Sequence, residues 1–200
     1  MLFLTITLTA YKLYGQGTLD VDQAFFSAMS AQPIQGYEPI GQSFTPSLSS
    51  VDFIGLALND ANPGNGLGAT VTLDLRSGSI TGPLLATTTP VTMPDGYTGN
   101  VPANPGSYGP IFFFPTPVTV TPGTTYYFDI DVLSGDTWIV GIGGGTYPGG
   151  HAYANGVAST AANLVFYEGV VVPEPSVAWL ALAGGGVFLG FRCRRKSPES

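Results

Sequence analysis

The chain has 200 residues, with 28 glycines and 17 prolines, and carries six Lys and Arg against thirteen Asp and Glu, a net charge of −7. Residues 18–173 keep only Arg76 against eleven acids and stand at −10. Such a surface excludes phosphate backbones and anionic headgroups as partners, so no nucleic acid is expected, while oxygen-seeking divalent cations stay admissible.

Residues Met1 to Ala10 form an apolar and threonine run, followed by Tyr11-Lys12-Leu13-Tyr14 and the small-x-small sequence Gly15-Gln16-Gly17. This order predicts a signal peptide over residues 1–17, cleaved after Gly17; the alternative is a first β-strand. No Lys or Arg precedes the run, so either the amino terminus supplies the only positive charge or the true start lies upstream.

Residues 18–170 are one domain's worth of chain, read as an exported β-sandwich domain. Gly, Pro and Thr are abundant and Lys and Glu scarce, a composition poor for helices and good for short strands and turns. Alternation places the clearest strands. Val71, Leu73 and Leu75 oppose Thr70, Thr72, Asp74 and Arg76. Tyr126, Phe128, Ile130 and Val132 oppose Tyr127, Asp129 and Asp131, and Trp138, Val140 and Ile142 repeat the pattern. Weaker strand signals cover residues 41–45, 51–58, 84–89, 112–120 and 163–168. Pro115 and Pro117 confine the fourth of these to a sheet edge or split it. Turn signals lie between them, at Asn62-Pro63-Gly64-Asn65-Gly66, Ser77-Gly78, Pro94-Asp95-Gly96, Thr121-Pro122-Gly123 and Ser134-Gly135-Asp136. The fold class expected is all-β, a single jelly-roll-like β-sandwich with a C-terminal transmembrane helix and an N-terminal signal segment.

Chemistry is sparse in this domain. His151 is the only histidine and no Gly-x-Ser-x-Gly elbow accompanies it, while Glu38 and Glu168 show no spacing that pairs them across a cleft. No enzymatic activity is expected. Zinc has no His/Cys cluster to bind. Calcium is the metal candidate, at Asp60, Asn62 and Asn65 in a Gly-rich loop, set against ordinary Asx turns in the same residues. Tyr97, Tyr108, Tyr147 and Tyr153 lie in Gly/Pro/Asn-rich loops, where flat rings either stack on sugar faces or pack over the core edge.

Residues 171–200 hold three parts in order: Val172-Pro173-Glu174-Pro175-Ser176, the uncharged apolar run of 15 residues from Val177 to Phe191, and the basic cluster Arg192, Arg194, Arg195 and Lys196 around Cys193. The prolines fix φ and remove donors, so the first part is held extended. A helix over the apolar run would span only ~22 Å of a ~30 Å hydrocarbon core, a marginal anchor. The positive-inside bias holds the basic cluster in the cytoplasm and the domain on the far side. Cys193, the only cysteine, falls on the cytoplasmic side, which leaves the exported domain without a disulfide.

This tripartite tail resembles the PEP-CTERM sorting signal of exported bacterial proteins. The resemblance implies recognition by an exosortase, a membrane protease that processes the protein near the motif. It implies a protein first anchored in the inner membrane with a cytoplasmic C-terminus, then delivered to the cell surface or an exopolysaccharide matrix. Gln42-Ser43-Phe44-Thr45-Pro46, Leu75-Arg76-Ser77-Gly78, Thr121-Pro122-Gly123-Thr124-Thr125-Tyr126-Tyr127-Phe128 and Ser134-Gly135-Asp136-Thr137-Trp138 resemble the sandwich domains that often precede such tails. Two further readings stand beside the sorted, non-catalytic surface or matrix protein: a carbohydrate-binding module shown at the cell surface, and a plain single-pass membrane-anchored protein.

Overall fold

A computed structural model describes residues 17–27, 30–99 and 109–173. The expected signal segment, but for Gly17, and the expected tail helix lie outside them. Among the described residues there is no helix, so none that is long and apolar enough to cross a membrane.

From the N-terminus, β1 (Gly17–Phe25), β2 (Ser30–Pro33), β3 (Gly41–Phe44), β4 (Ser50–Leu56) and β5 (Leu58–Asp60) precede the long β6 (Ala69–Ser77). β7 (Leu84–Thr87), β8 (Val91–Met93) and β9 (Ile111–Thr119) lead to β10 (Tyr126–Gly135). β11 (Trp138–Gly144), β12 (Ala152–Ala154), β13 (Val157–Ala158), β14 (Ala162–Leu164) and β15 (Phe166–Pro173) follow. The chain is all-β, as its composition predicts.

The strands form three sheets. The first has the order β1-β15-β4-β9; the second is β13-β12-β3-β10-β6-β7, with β8 also on β6; the third is β14-β11-β2, with β5 also on β11. β10 is the spine of the second sheet, antiparallel to β6 with Ile130 opposite Leu73 and Asp129 opposite Asp74. On its other side Phe128 stands opposite Gln42 of β3. Leu133 is the extra residue of a bulge between Val132 and Ser134, and the bulge turns it outward to 57% exposure.

One apolar core joins all three sheets. Phe44 and Phe128 of the second sheet meet Phe166 of the first, with ring centroids 6.2 Å (Phe44–Phe128), 5.6 Å (Phe128–Phe166) and 6.4 Å (Phe44–Phe166) apart. Leu58, Trp138, Val140 and Leu164 of the third sheet enter the same cluster. Each fully buried aromatic or aliphatic side chain contributes about 1.5–3 kcal/mol, which is how the domain stands without a disulfide.

The expected strand over 51–58 is broken at Ala57, and that over 163–168 at Val165. At both points the backbone changes partners: Ala57 N–H donates to the Val165 carbonyl (3.3 Å), Gly141 N–H to the Ala57 carbonyl (2.8 Å), and Val165 N–H to the Gly141 carbonyl (2.8 Å). The break at Ala57 carries the chain from the first sheet into the third, and that at Val165 carries it back. β9 stays whole through its two prolines and lies at the edge of its sheet, one of the two outcomes the prolines allow. Asn155-Gly156, outside the turn signals above, closes the β12–β13 hairpin with φ of 52° and 73°, the left-handed pair that a two-residue hairpin turn demands.

The compact body spans Leu19–Val171.

Candidate functional site

β15 is the strand that runs from the core toward the tail. Phe166 and Glu168 face inward, while Tyr167, also buried, lies on the other face of the sheet beside Phe26 and Phe53 and covers Gly55 of β4, where any Cβ would collide with the ring. The pairing of β15 with β4 runs from Phe166 opposite Leu56 to Gly169 opposite Phe53. Val171 N–H then donates to Asp52 Oδ2 at 2.8 Å, Val172 is 45% exposed, and Pro173 ends the strand. Glu174, Pro175 and Ser176 lie outside the described residues, as do Arg192, Arg194, Arg195, Lys196 and Tyr108.

Of the tyrosines expected in loops, Tyr153 lies instead in strand β12, opposite Gly41 of β3, and the three that are described occupy three different settings. Tyr97 is half-buried with its ring 6.0 Å from Trp138. Tyr147 is buried, edge-on to Phe166 at 5.3 Å, and its hydroxyl donates to Gln23 Oε1 at 3.2 Å. Tyr153 stands edge-on to Tyr127 at 5.7 Å, on the face of the second sheet opposite the core.

In the loop proposed for calcium, Asp60 Oδ1 accepts from Asn62 N–H (2.7 Å) and Oδ2 from Gly96 N–H (2.8 Å). Asn65 Oδ1 accepts from Leu67 N–H (2.7 Å), and its Nδ2 donates to Asp136 Oδ2 (2.6 Å). Asp95 accepts from Gly64 and Gly66 N–H, both at 2.8 Å, and these bonds hold its carboxyl below the usual aspartate range. The loop is thus clamped by carboxylates that each take backbone N–H groups.

A second acidic group forms on the outer face of β6 and β10. Asp74, Asp129 and Asp131 place carboxylate oxygens within 4.8 Å of one another. Arg76 binds two of them, through Nη2 to Asp74 at 2.7 Å and through Nε to Asp129 at 2.7 Å. Burial pushes the Asp129 carboxyl up against the pull of Arg76, and burial with the Asp74 charge pushes up Asp131. His151 is exposed, and its backbone N–H donates to Ser43 Oγ at 2.9 Å.

The family model of the PEP-CTERM protein-sorting motif matches residues 171–196. The chain carries this sorting signal at its C-terminal end. Its first residues, Val171 to Pro173, are the last residues of β15, so the PEP-CTERM signal starts inside a strand of the first sheet. No curated protein sequence matches the chain.

Two features escaped the sequence. The alternation put Asp74 with Arg76 and Asp129 with Asp131 on polar faces, but only the β6–β10 pairing makes them one cluster. Asp22 and Glu168 read as unremarkable acids, 146 positions apart in the chain numbering. Glu168 is nevertheless 0% exposed, and among the described residues no hydrogen-bond donor reaches either of its oxygens. Burial first, and the Asp22 charge second, push its carboxyl up to about 8. The signal that could have found it is a lone Glu on the inward face of an otherwise apolar strand.

Proposed function

We propose that this is an exported, non-catalytic surface or matrix protein whose sandwich-like domain is structural or adhesive. The PEP-CTERM signal implies handling by an exosortase, and in this reading that handling ends in release from the membrane into an exopolysaccharide matrix. The observation that carries the reading is the match over residues 171–196, continuous with a core strand. The body upstream supports it, being rich in core and poor in catalytic groups. The C-terminal helix is the transient anchor in this reading, with Arg192, Arg194, Arg195 and Lys196 on the cytoplasmic side.

The experiment is the intact mass of the native protein from membrane and extracellular pools, beside a variant with Pro173, Glu174 and Pro175 replaced by alanine. The native chain is expected to have lost the segment after the motif, and the variant to keep it and stay in the membrane. Native protein that retains residues 192–200 in the membrane, with the variant behaving alike, sinks the sorting reading and leaves a plain single-pass anchor.

A carbohydrate-binding role is the second reading. One observation favours it: Tyr153 and Tyr127 pair on the outer sheet face that also carries Arg76, so a ring face and charged hydrogen-bonding groups share one surface. Titration with oligosaccharides from the host's own exopolysaccharide is expected to shift tyrosine fluorescence and to lose the effect in Tyr153→Ala. An unchanged signal in both proteins removes this reading.

A further inference from the structure

β1 is the outermost strand of the first sheet, and apolar burial holds it weakly. None of its residues is buried, and Val21 is 36% exposed. Phe25, at its end, packs against the core, and the fixings along the rest of the strand are polar. Asp22 accepts from Ser47 N–H at 2.6 Å, from Leu48 N–H at 3.0 Å and from the Ser47 hydroxyl, and Gln23 accepts from the Tyr147 hydroxyl. Beside Asp22, on the neighbouring strand β15, sits Glu168, which is fully buried. Backbones are in close contact here, since a Cβ on Gly169 would collide with the Asp20 carbonyl.

We propose that one proton, held on the Glu168 carboxyl and donated to the Asp22 carboxylate, latches β1 onto β15, and that loss of this proton to water releases β1.

Two carboxylates packed together cannot both stay ionised without a cation between them. Arg76, the only Lys or Arg among the described residues, is engaged with Asp74 and Asp129. Burial tends to raise the Asp22 carboxyl, but the bonds from Ser47 and Leu48 outweigh it and hold it below the usual range, so Asp22 is the ionised partner. Glu168 is therefore the proton carrier. The other titratable groups around it are Tyr147, from the segment after β11, which burial keeps neutral, and Asp52 of β4, whose Oδ2 takes the Val171 N–H.

The direction with pH follows from linkage. The latched form keeps its proton to about pH 8, whereas an unlatched, hydrated Glu168 ionises near 4.5. Between those limits unlatching releases one proton, so the unlatched population rises tenfold per pH unit and levels off above 8. Unlatching leaves β15 as the edge of its sheet, with backbone groups open to an added strand. Use of that edge by a processing enzyme rests on the function proposed above; the latch does not.

The test is hydrogen exchange read by mass spectrometry on the full chain in detergent micelles, corrected for the intrinsic effect of pH. From pH 5.5 to 7.5, protection of β1 is expected to fall about a hundredfold while β6 and β10 hold, and Glu168→Gln is expected to abolish the difference. Wild-type β1 protection that ignores pH, or an equal fall in the variant, overturns the latch. So does calcium that restores protection at pH 7.5, which would make the pair a cation site. Should the variant not fold, infrared spectra of the wild type labelled with ¹³C-glutamate decide: a protonated-carboxyl band present at pH 6 and lost by pH 9.5 supports the latch, and its absence at pH 6 overturns it.

Discussion

Arg76 is the residue on which most charge depends. Its guanidinium holds Asp74 and Asp129, and Asp131 lies in the same group, so Arg76→Met leaves three carboxylates facing one another. Its side chain is 21% exposed, which sets the expected loss between the surface and buried ranges for ion pairs, about 2 kcal/mol in urea unfolding at pH 7. The deficit is expected to shrink toward pH 4 as Asp129 and Asp131, whose carboxyls burial pushes up, take up protons. An equal deficit at both values would place the role of Arg76 in packing. Asp60 acts differently, clamping Asn62 N–H of its own loop and Gly96 N–H of the loop after β8. Asp60→Ala is expected to cost roughly 1–3 kcal/mol for the donors it orphans. Calcium or a chelator is expected to leave the melting temperature of the wild type unchanged, and a calcium-dependent rise would return the loop to metal binding.

Among the elements, what alternation could reveal was the interior of the second sheet and part of the third. β6, β10 and β11 follow the inward-apolar rule, and Val71, Leu73, Leu75, Phe128, Ile130, Trp138 and Val140 are buried as that rule requires. β1 was illegible because it inverts the rule: Asp22 is engaged with the body while Val21 is exposed. β2 offers only Ser-Ala-Gln-Pro, and β11 supplies its pairing. The sorting motif was legible, since its signal is an order of local segments that needs no partner strand. The loop tyrosines read alike in sequence because exposure depends on what folds over them, and Tyr147 proved to be covered. The β12–β13 hairpin yields a test of its own. Gly156→Ala has ample room, with Pro39 Cγ 3.6 Å away, yet φ of 73° strains any side chain there. A loss of about 1 kcal/mol is expected from the backbone alone, and an unchanged Tm would show that the hairpin adds little to the body.

For the whole molecule, opposed shifts set the pH profile. Asp22 and Asp95 are held below the ordinary aspartate value, so their contributions are present above that range and are lost as pH falls through it. Glu168 acts in reverse, its contribution being full below 4.5 and lost as pH rises toward 8, on the order of 5 kcal/mol in all. Stability is expected to peak near pH 5 and to decline on both sides, as measured by Tm across pH 3 to 9. A profile flat from pH 5 to 8 would show Glu168 to be solvated.

The path of β15 also has a mechanical consequence. Its neighbours are β1 and β4, so it is an interior strand of its sheet, and its pairs with β4 are antiparallel. A pull applied at Pro173 along the strand loads those hydrogen bonds in shear, many at once, and does not unzip them one by one. With β4 on one side and β1 on the other, the strand from which the tail departs is gripped along both edges. Held by its tail against drag, such a domain resists extraction at the point where the load enters, and it would yield first wherever β1 has let go.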